Sequence, residues 1–303
     1  MVGAFLRNFP FGTEIAFAKG LERRGHTVHR IDPGYPNQVW DDDADATIVF
    51  KWIDLGLKDV YERLERCAGL KVVYQPDDAR FPHIKEMIRG MRGFCTHLLS
   101  FDDYGAEYAL TVGYLDAETL RVTADDELYC PDSNVERDID VSFVGSLTAG
   151  PNHASRMEMC RLVQAWANAN GKTTWFGETY FSVPGYPSPL DIYRRSKVVL
   201  NHATDVGQPF GWGHGFQCRH FEVGMAGVFL LSNMVYGERF ELLHTQYGNE
   251  TQLINKLETY LGTGGGVLFD REVLAGFHRN NILREHMPEH RADQIVSFVK
   301  RNT

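Results

Sequence analysis

Arg219 and Glu222 stand three residues apart at the start of a helical stretch that a glycine-rich run introduces, Gly207-Gln-Pro-Phe-Gly-Trp-Gly-His-Gly215. Spacing of three puts both side chains on one helix face. The flanking segments Lys197-Val-Val-Leu-Asn201 and Gly227-Val-Phe-Leu-Leu-Ser232 read as buried parallel strands, so the loop leaves the carboxyl end of one strand and feeds a helix N-terminus. Open α/β sheets bind their ligands at that edge. Unpaired N–H groups at the helix start, with the donor fork of Arg219, suit a diphosphate, and Glu222 suits a sugar or ribose diol. The structural alternative is an ordinary packing helix with a surface ion pair.

The same edge rule sorts the other candidates. Gly145 and Ser146, Gly177, Asn201 and His202, and Ser232 and Asn233 each follow a strand signal and so border one crevice, whereas Lys197 precedes its strand and reads as structural. Gly12 and Thr13 follow the first strand of the chain. A missing side chain at Gly12 lets backbone approach a ligand, and the competing reading for Thr13 is a helix N-cap with Glu14 just inside. A general base, if one is needed, would be a carboxylate such as Asp78 or Asp102, both placed after strands. The acidic runs at 41–45, 77–78, 102–103 and 125–126 read as solvated loops rather than Mg²⁺ sites, and Pro288 between His286 and His290 argues against zinc.

The elements that must position these residues alternate. Strand signals at Val2–Leu6, Thr27–Ile31, Ala46–Phe50, Leu70–Tyr74, Gly93–Leu99 and Thr111–Leu115 enclose helices at about 12–25, ending at Gly25, and at 57–67 and 83–91. Acidic, turn-rich sequence from Leu120 to Arg137 then reads as a connection. A second series follows: strands Asp140–Val144 and Thr173–Phe176, helices Arg156–Asn168 and Leu190–Ser196, then the Arg219 segment and C-terminal helices, the last opened by Pro288. The expected division is a Rossmann-like domain over 1–130, a second over 138–285, and a terminal helix over 286–303. Gly262-Thr-Gly-Gly-Gly266 follows no strand and reads as a linker.

Composition narrows the class. Its 303 residues suffice for two cores, and a net charge of −9 gives no global attraction to nucleic acid or an anionic membrane. Five scattered cysteines without a C-x-x-C pair suggest reduced thiols, hence a cytoplasmic location. There is no signal-peptide pattern and no apolar run long enough to span a membrane. A dinucleotide dehydrogenase is disfavoured, because Arg7-Asn-Phe-Pro-Phe-Gly-Thr-Glu14 lacks the G-x-G-x-x-G fingerprint.

Four segments in order carry a family resemblance: Val141-Ser-Phe-Val-Gly-Ser146, Asp191-Ile-Tyr-Arg-Arg-Ser-Lys-Val-Val-Leu-Asn201, Arg219-His-Phe-Glu-Val-Gly-Met-Ala-Gly-Val-Phe-Leu-Leu-Ser232, and His286 with Arg291. This half of the chain resembles the CgeB-like glycosyltransferases of GT-B fold. The resemblance implies an α/β chain of two Rossmann-like domains facing a central cleft, with a nucleotide-sugar donor, UDP-linked among the options, held mainly by the C-terminal domain. The last helix of such enzymes crosses back to the N-terminal domain. Related retaining enzymes carry an E-x7-E motif over this loop and helix; Glu222 takes the second position, and His214 stands where the first glutamate would be.

No cofactor beyond the nucleotide sugar is implied. Charge on the leaving diphosphate would be met by backbone N–H groups and Arg219, without a metal. The acceptor stays open among a small molecule, a polysaccharide, a protein and a modified nucleic-acid base. Two other readings share the architecture: a nucleotide-sugar 2-epimerase or hydrolase, and a non-catalytic binding protein of a surface structure.

Overall fold

The computed structural model describes residues 2–4, 12–31, 41–50, 58–147, 154–178, 187–203, 217–234, 244–262 and 267–303. They divide into two compact units, one of residues 1–125 with 287–303 and the other of residues 126–286.

In the first unit the strands β1 (Val2–Ala4), β2 (His29–Ile31), β3 (Ala46–Phe50), β4 (Leu70–Gln75), β5 (His97–Ser100) and β6 (Asp116–Thr119) form one parallel sheet in the order β2-β1-β3-β4-β5-β6. Helices α1 (Thr13–Arg23), α2 (Lys58–Arg66), α3 (Pro82–Met91) and α4 (Asp103–Thr111) connect them. β3, Ala-Thr-Ile-Val-Phe, is buried throughout with only Thr47 polar, the pattern of a parallel strand covered on both faces. Gly25, at φ +83°, closes the turn after α1 as its position in the sequence suggested.

One expectation fails here. Thr111–Leu115 is not a strand: Thr111 ends α4, and Gly113 at φ +98° turns the chain toward β6. The side chain of Asp102 accepts the Gly105 N–H at 2.8 Å and caps α4, burying Gly105, Ala106 and Ala109. β6 lies at the edge of the sheet and is only half-buried, so its Asp-Ala-Glu-Thr sequence lacks the apolar signature of the central strands. That is why the neighbouring apolar residues drew the strand assignment to themselves.

In the second unit β7 (Ile139–Val144), β8 (Thr174–Gly177), β9 (Ser196–Asn201), β10 (Phe229–Ser232) and the two-residue β11 (Thr245–Gln246) pair in parallel in the order β11-β10-β9-β7-β8. Helices α5 (Ala154–Ala169), α6 (Pro189–Arg195), α7 (Cys218–Met225), α8 (Glu250–Leu261) and α9 (Val267–Glu285) cover it. Val198, Val199, Leu200, Phe229, Leu230 and Leu231 are all fully buried. Each such side chain contributes about 1.5–3 kcal/mol by leaving water. Because β7 pairs with β8 on one side and β9 on the other, successive connections leave in opposite directions, and their carboxyl ends form a switch-point crevice. No helix among the described residues is long and apolar enough to cross a membrane.

The final helix, α10 (Pro288–Asn302), belongs to the first unit. Its apolar buried face is Ala292, Ile295 and Phe298, with Val296 and Val299 half-buried beside it. It lies against α1 so closely that a Cβ on Gly20 would sit 2.2 Å from the Pro288 carbonyl oxygen. Arg23 to Glu289 at 3.0 Å and Arg24 to Asp293 at 2.6 Å fasten the rim. Gly20→Ala is therefore expected to destabilise the first unit by about 1–3 kcal/mol through overpacking against backbone. Urea unfolding of the purified variant checks this; an unchanged midpoint would mean that the two helices are not in this contact.

Candidate active site

The carboxyl ends of β7 and β9 are joined by the guanidinium of Arg219. Its Nη1 donates to Asn201 Oδ1 at 2.6 Å, and its Nη2 to the Val144 carbonyl. The group lies 4.9 Å above the centre of the Phe143 ring. Its Nε is buried with no hydrogen-bond partner among the described residues. A Cβ on Gly145 would come within 2.7 Å of Nη2, so this position has no room for a side chain while Arg219 occupies its place. The Gly145 N–H donates to the Gly177 carbonyl at 2.9 Å, which ties the end of β7 to that of β8.

Glu222, one helical turn after Arg219, is enclosed by hydroxyls. The Tyr193 hydroxyl donates to its Oε2 at 3.1 Å, and Tyr129 stands beside it from the connecting segment. Burial raises the Glu222 pKa, while Arg219, Tyr193 and Tyr129 each pull it back down. Burial and the nearby Glu222 carboxylate in turn hold the Tyr193 phenol well above its ordinary value.

Other residues singled out in the sequence take varied places. Asn201 is fully buried and turns its amide inward, bonding Arg219 and Ser232 rather than opening on the crevice. His202 is buried between Tyr247, 2.9 Å from its Nδ1, and Ser155, 3.1 Å from its Nε2. Its carbonyl accepts Arg156 Nε and Nη2 at 3.2 and 3.0 Å, and the Ser146 carbonyl accepts Nη1 of the same arginine at 3.1 Å. Arg156 thus staples the loops after β7 and β9, a role its position in a helix did not announce. The Asn233 side chain accepts the Ala203 N–H at 2.9 Å. Lys197 pairs with Asp140 at 2.7 Å. His214 and the glycine-rich loop lie outside the described residues.

In the first unit, Gly12 is the N-cap of α1 and Thr13 is its first helical residue. Thr13 is not the cap; its buried hydroxyl donates to the Thr123 carbonyl at 3.4 Å. Asp102 is nearly inaccessible and receives Arg80 at 3.1 Å, while the same guanidinium meets Asp78 at 2.9 Å. Burial raises the Asp102 pKa against the opposing Gly105 N–H and Arg80.

A feature absent from the sequence reading is a set of buried histidines behind α7. His220 and His244 meet edge to face with ring centroids 5.2 Å apart, and His278 of α9 lies near both. Burial lowers the pKa of His244 to about 4 and of His278 to about 3, with His244 adding to the second effect. Nothing in the spacing of three histidines over 58 residues marks them as neighbours.

Residues 156–297 match a family model described as glycosyl transferase-like. No curated protein matches the sequence. In fold, the chain is similar to HepE from Anabaena in its crystal structure with UDP, at TM-score 0.60 and 9% identity, covering 99% of this chain and 99% of that one. It is similar also to the α,α-trehalose 6-phosphate synthase of Burkholderia multivorans, at TM-score 0.58 and 11% identity over 86% of this chain and 72% of that one. The pneumococcal O-GlcNAc transferase GtfA, crystallised with UDP and GlcNAc, gives 0.55 and 12% over 86% of this chain and 57% of that one. The architecture is that of the GT-B glycosyltransferases.

The neutral histidines carry a pH signature. Their folded pKa values lie below the unfolded value of 6.5, so the unfolded chain binds protons first as the pH falls. Stability is fully present above pH 6.5 and is lost downward toward about 4 and 3, each ring adding a slope of at most ~1.4 kcal/mol per pH unit. Urea midpoints at pH 7 and pH 5 measure it. Equal midpoints would show that these rings are hydrated in the folded state.

Proposed function

We propose that the chain is a glycosyltransferase that moves a sugar from a nucleotide-sugar donor, UDP-linked, with Arg219 and Glu222 as its donor-binding residues. The observation that carries the reading is the position of Arg219, a cation bridging the ends of β7 and β9 at the switch point and held there by groups that leave its charge unneutralised. As the bond to the anomeric carbon breaks, negative charge grows on the β-phosphate. A preorganised guanidinium and the N–H groups at the start of α7 stabilise that charge more than they stabilise the bound donor. Glu222, already an acceptor of hydroxyl donors, would take the place of a diol acceptor for the ribose.

The glycosyl transferase-like match over 156–297 and the UDP bound by HepE and GtfA support the donor class. The CgeB-like grouping rests on the four sequence segments, and in that reading His214 replaces the first glutamate of the E-x7-E pair as a sugar or phosphate contact. Gly145, Ser146 and Gly177 would frame the diphosphate end of the crevice, while Asn201 acts from behind by holding Arg219. Asp102 would be the base of an inverting reaction only once released from Arg80. Cytoplasmic operation follows from the reduced-thiol reading of the cysteines. The acceptor is one of the classes named from the sequence.

Glu222→Ala and Arg219→Ala should each weaken UDP or UDP-sugar binding more than tenfold, the loss of a charge-assisted hydrogen bond of about 1.5–3 kcal/mol in a dry site. Calorimetric titration of folded variants measures it, and unchanged affinity in both would overturn the assignment.

Activity is also expected to persist in EDTA, because the guanidinium and helix N-terminus supply the counter-charge that a divalent ion would otherwise bring. Complete loss restored by Mg²⁺ or Mn²⁺ would transfer that role to the aspartate runs.

A further inference from the structure

The polar groups that run from Arg219 into the core are ordered in one direction. A guanidinium has donors only, so Asn201 must present Oδ1 to Nη1, which leaves its Nδ2 to donate to Ser232 Oγ at 3.0 Å. Ser232 Oγ accepts the Met234 N–H as well, at 3.2 Å. With both lone pairs taken, its own O–H has to donate to His220 Nε2, 3.2 Å away. At the far end His220 Nδ1 faces the Gln217 carbonyl at 3.2 Å, a group that can only accept. Two independent boundary conditions therefore fix His220 as the neutral ring with its proton on Nδ1.

We propose that His220 and Ser232 are positioning residues for Arg219, locking the guanidinium between β7 and β9 through the amide of Asn201. The consequence for donor binding rests on the reading of Arg219 given above.

Asn201, Ser232 and His220 are all fully buried, so none can exchange a lost partner for water. Without the Ser232 hydroxyl, the Asn201 amide loses its only acceptor in this chain of bonds and is free to turn, and Arg219 loses its fixed anchor. A proton on Nε2 would have the same effect, since the hydroxyl could no longer donate to it. Burial first, then His244, Arg219 and His278, oppose that protonation, while the Gln217 carbonyl favours it, and the balance lies well below the ordinary histidine value. The chain is therefore intact at neutral pH.

The test is ¹⁵N NMR on the full chain at pH 7, with Arg219→Lys assigning the guanidinium Nε–H signal, joined to calorimetric titration with UDP. His220 should show the neutral Nδ1–H pattern. Ser232→Ala should shift or broaden the Arg219 signal and weaken UDP about tenfold, with little further loss when it is added to Arg219→Lys. A merely structural serine would instead weaken binding by the same factor in both backgrounds. Should Ser232→Ala fail to fold, the wild-type tautomer still decides: a proton on Nε2, or on both nitrogens, would overturn the proposal. So would an unchanged Arg219 signal with unchanged UDP affinity in a folded Ser232→Ala. A wild-type chain with the expected His220 and Arg219 signals that takes up no UDP would support the relay and overturn the donor reading.

Discussion

A single cation, clamped where two parallel strands end, sets the terms for the second unit. Arg219 is held by a backbone carbonyl, a side-chain amide and an aromatic face, and each of these orients a guanidinium without neutralising it. Glu222 is the nearest counter-charge, and its own carboxyl is occupied by a tyrosine hydroxyl. Fixing an arginine this way costs side-chain entropy and the burial of several polar groups. The neighbouring residue types follow from the clamp: glycine at 145 because Nη2 fills the space, asparagine at 201 because both an acceptor and a donor are needed.

The two units use the same sheet edge differently. In the first, Arg80 sits at the ends of β4 and β5 with Asp78 and Asp102 both on one nitrogen, so two negative charges face one positive. In the second, Arg219 is oriented by neutral groups, a backbone carbonyl and an amide, and its carboxylate neighbour Glu222 stands one helical turn away.

Much of this was legible in the sequence because it is local. The apolar runs at 46–50, 197–201 and 229–232, the turn-rich stretch from 120 to 137 and Pro288 at the head of the last helix each carry their meaning within a few residues. Arg219 and Glu222 were legible for the same reason, one turn apart beside a glycine-rich run. What escaped was long-range. α4 was hidden because its cap, Asp102, looked like any loop acid, and β6 because an edge strand needs no apolar alternation. Asn201 could be placed at a strand end but not turned: its partners Arg219 and Ser232 are 18 and 31 residues away, and only the packed sheet decides which way an amide faces. The enclosure of Glu222 by Tyr129 and Tyr193 is of the same kind.

The contact of α10 with α1 gives the chain an order of assembly. Everything of the first unit except residues 287–303 leaves the ribosome before any of the second, yet the face of α1 that receives Pro288 cannot be covered until the last helix emerges. At ordinary elongation rates that interval is roughly ten to thirty seconds. Throughout it, a nearly finished sheet carries an open apolar seam where Ala292, Ile295 and Phe298 will later lie. The second unit, continuous in sequence, has no such wait. The nascent chain thus has one unit that can mature on its own schedule and another whose apolar seam stays open until its final helix arrives.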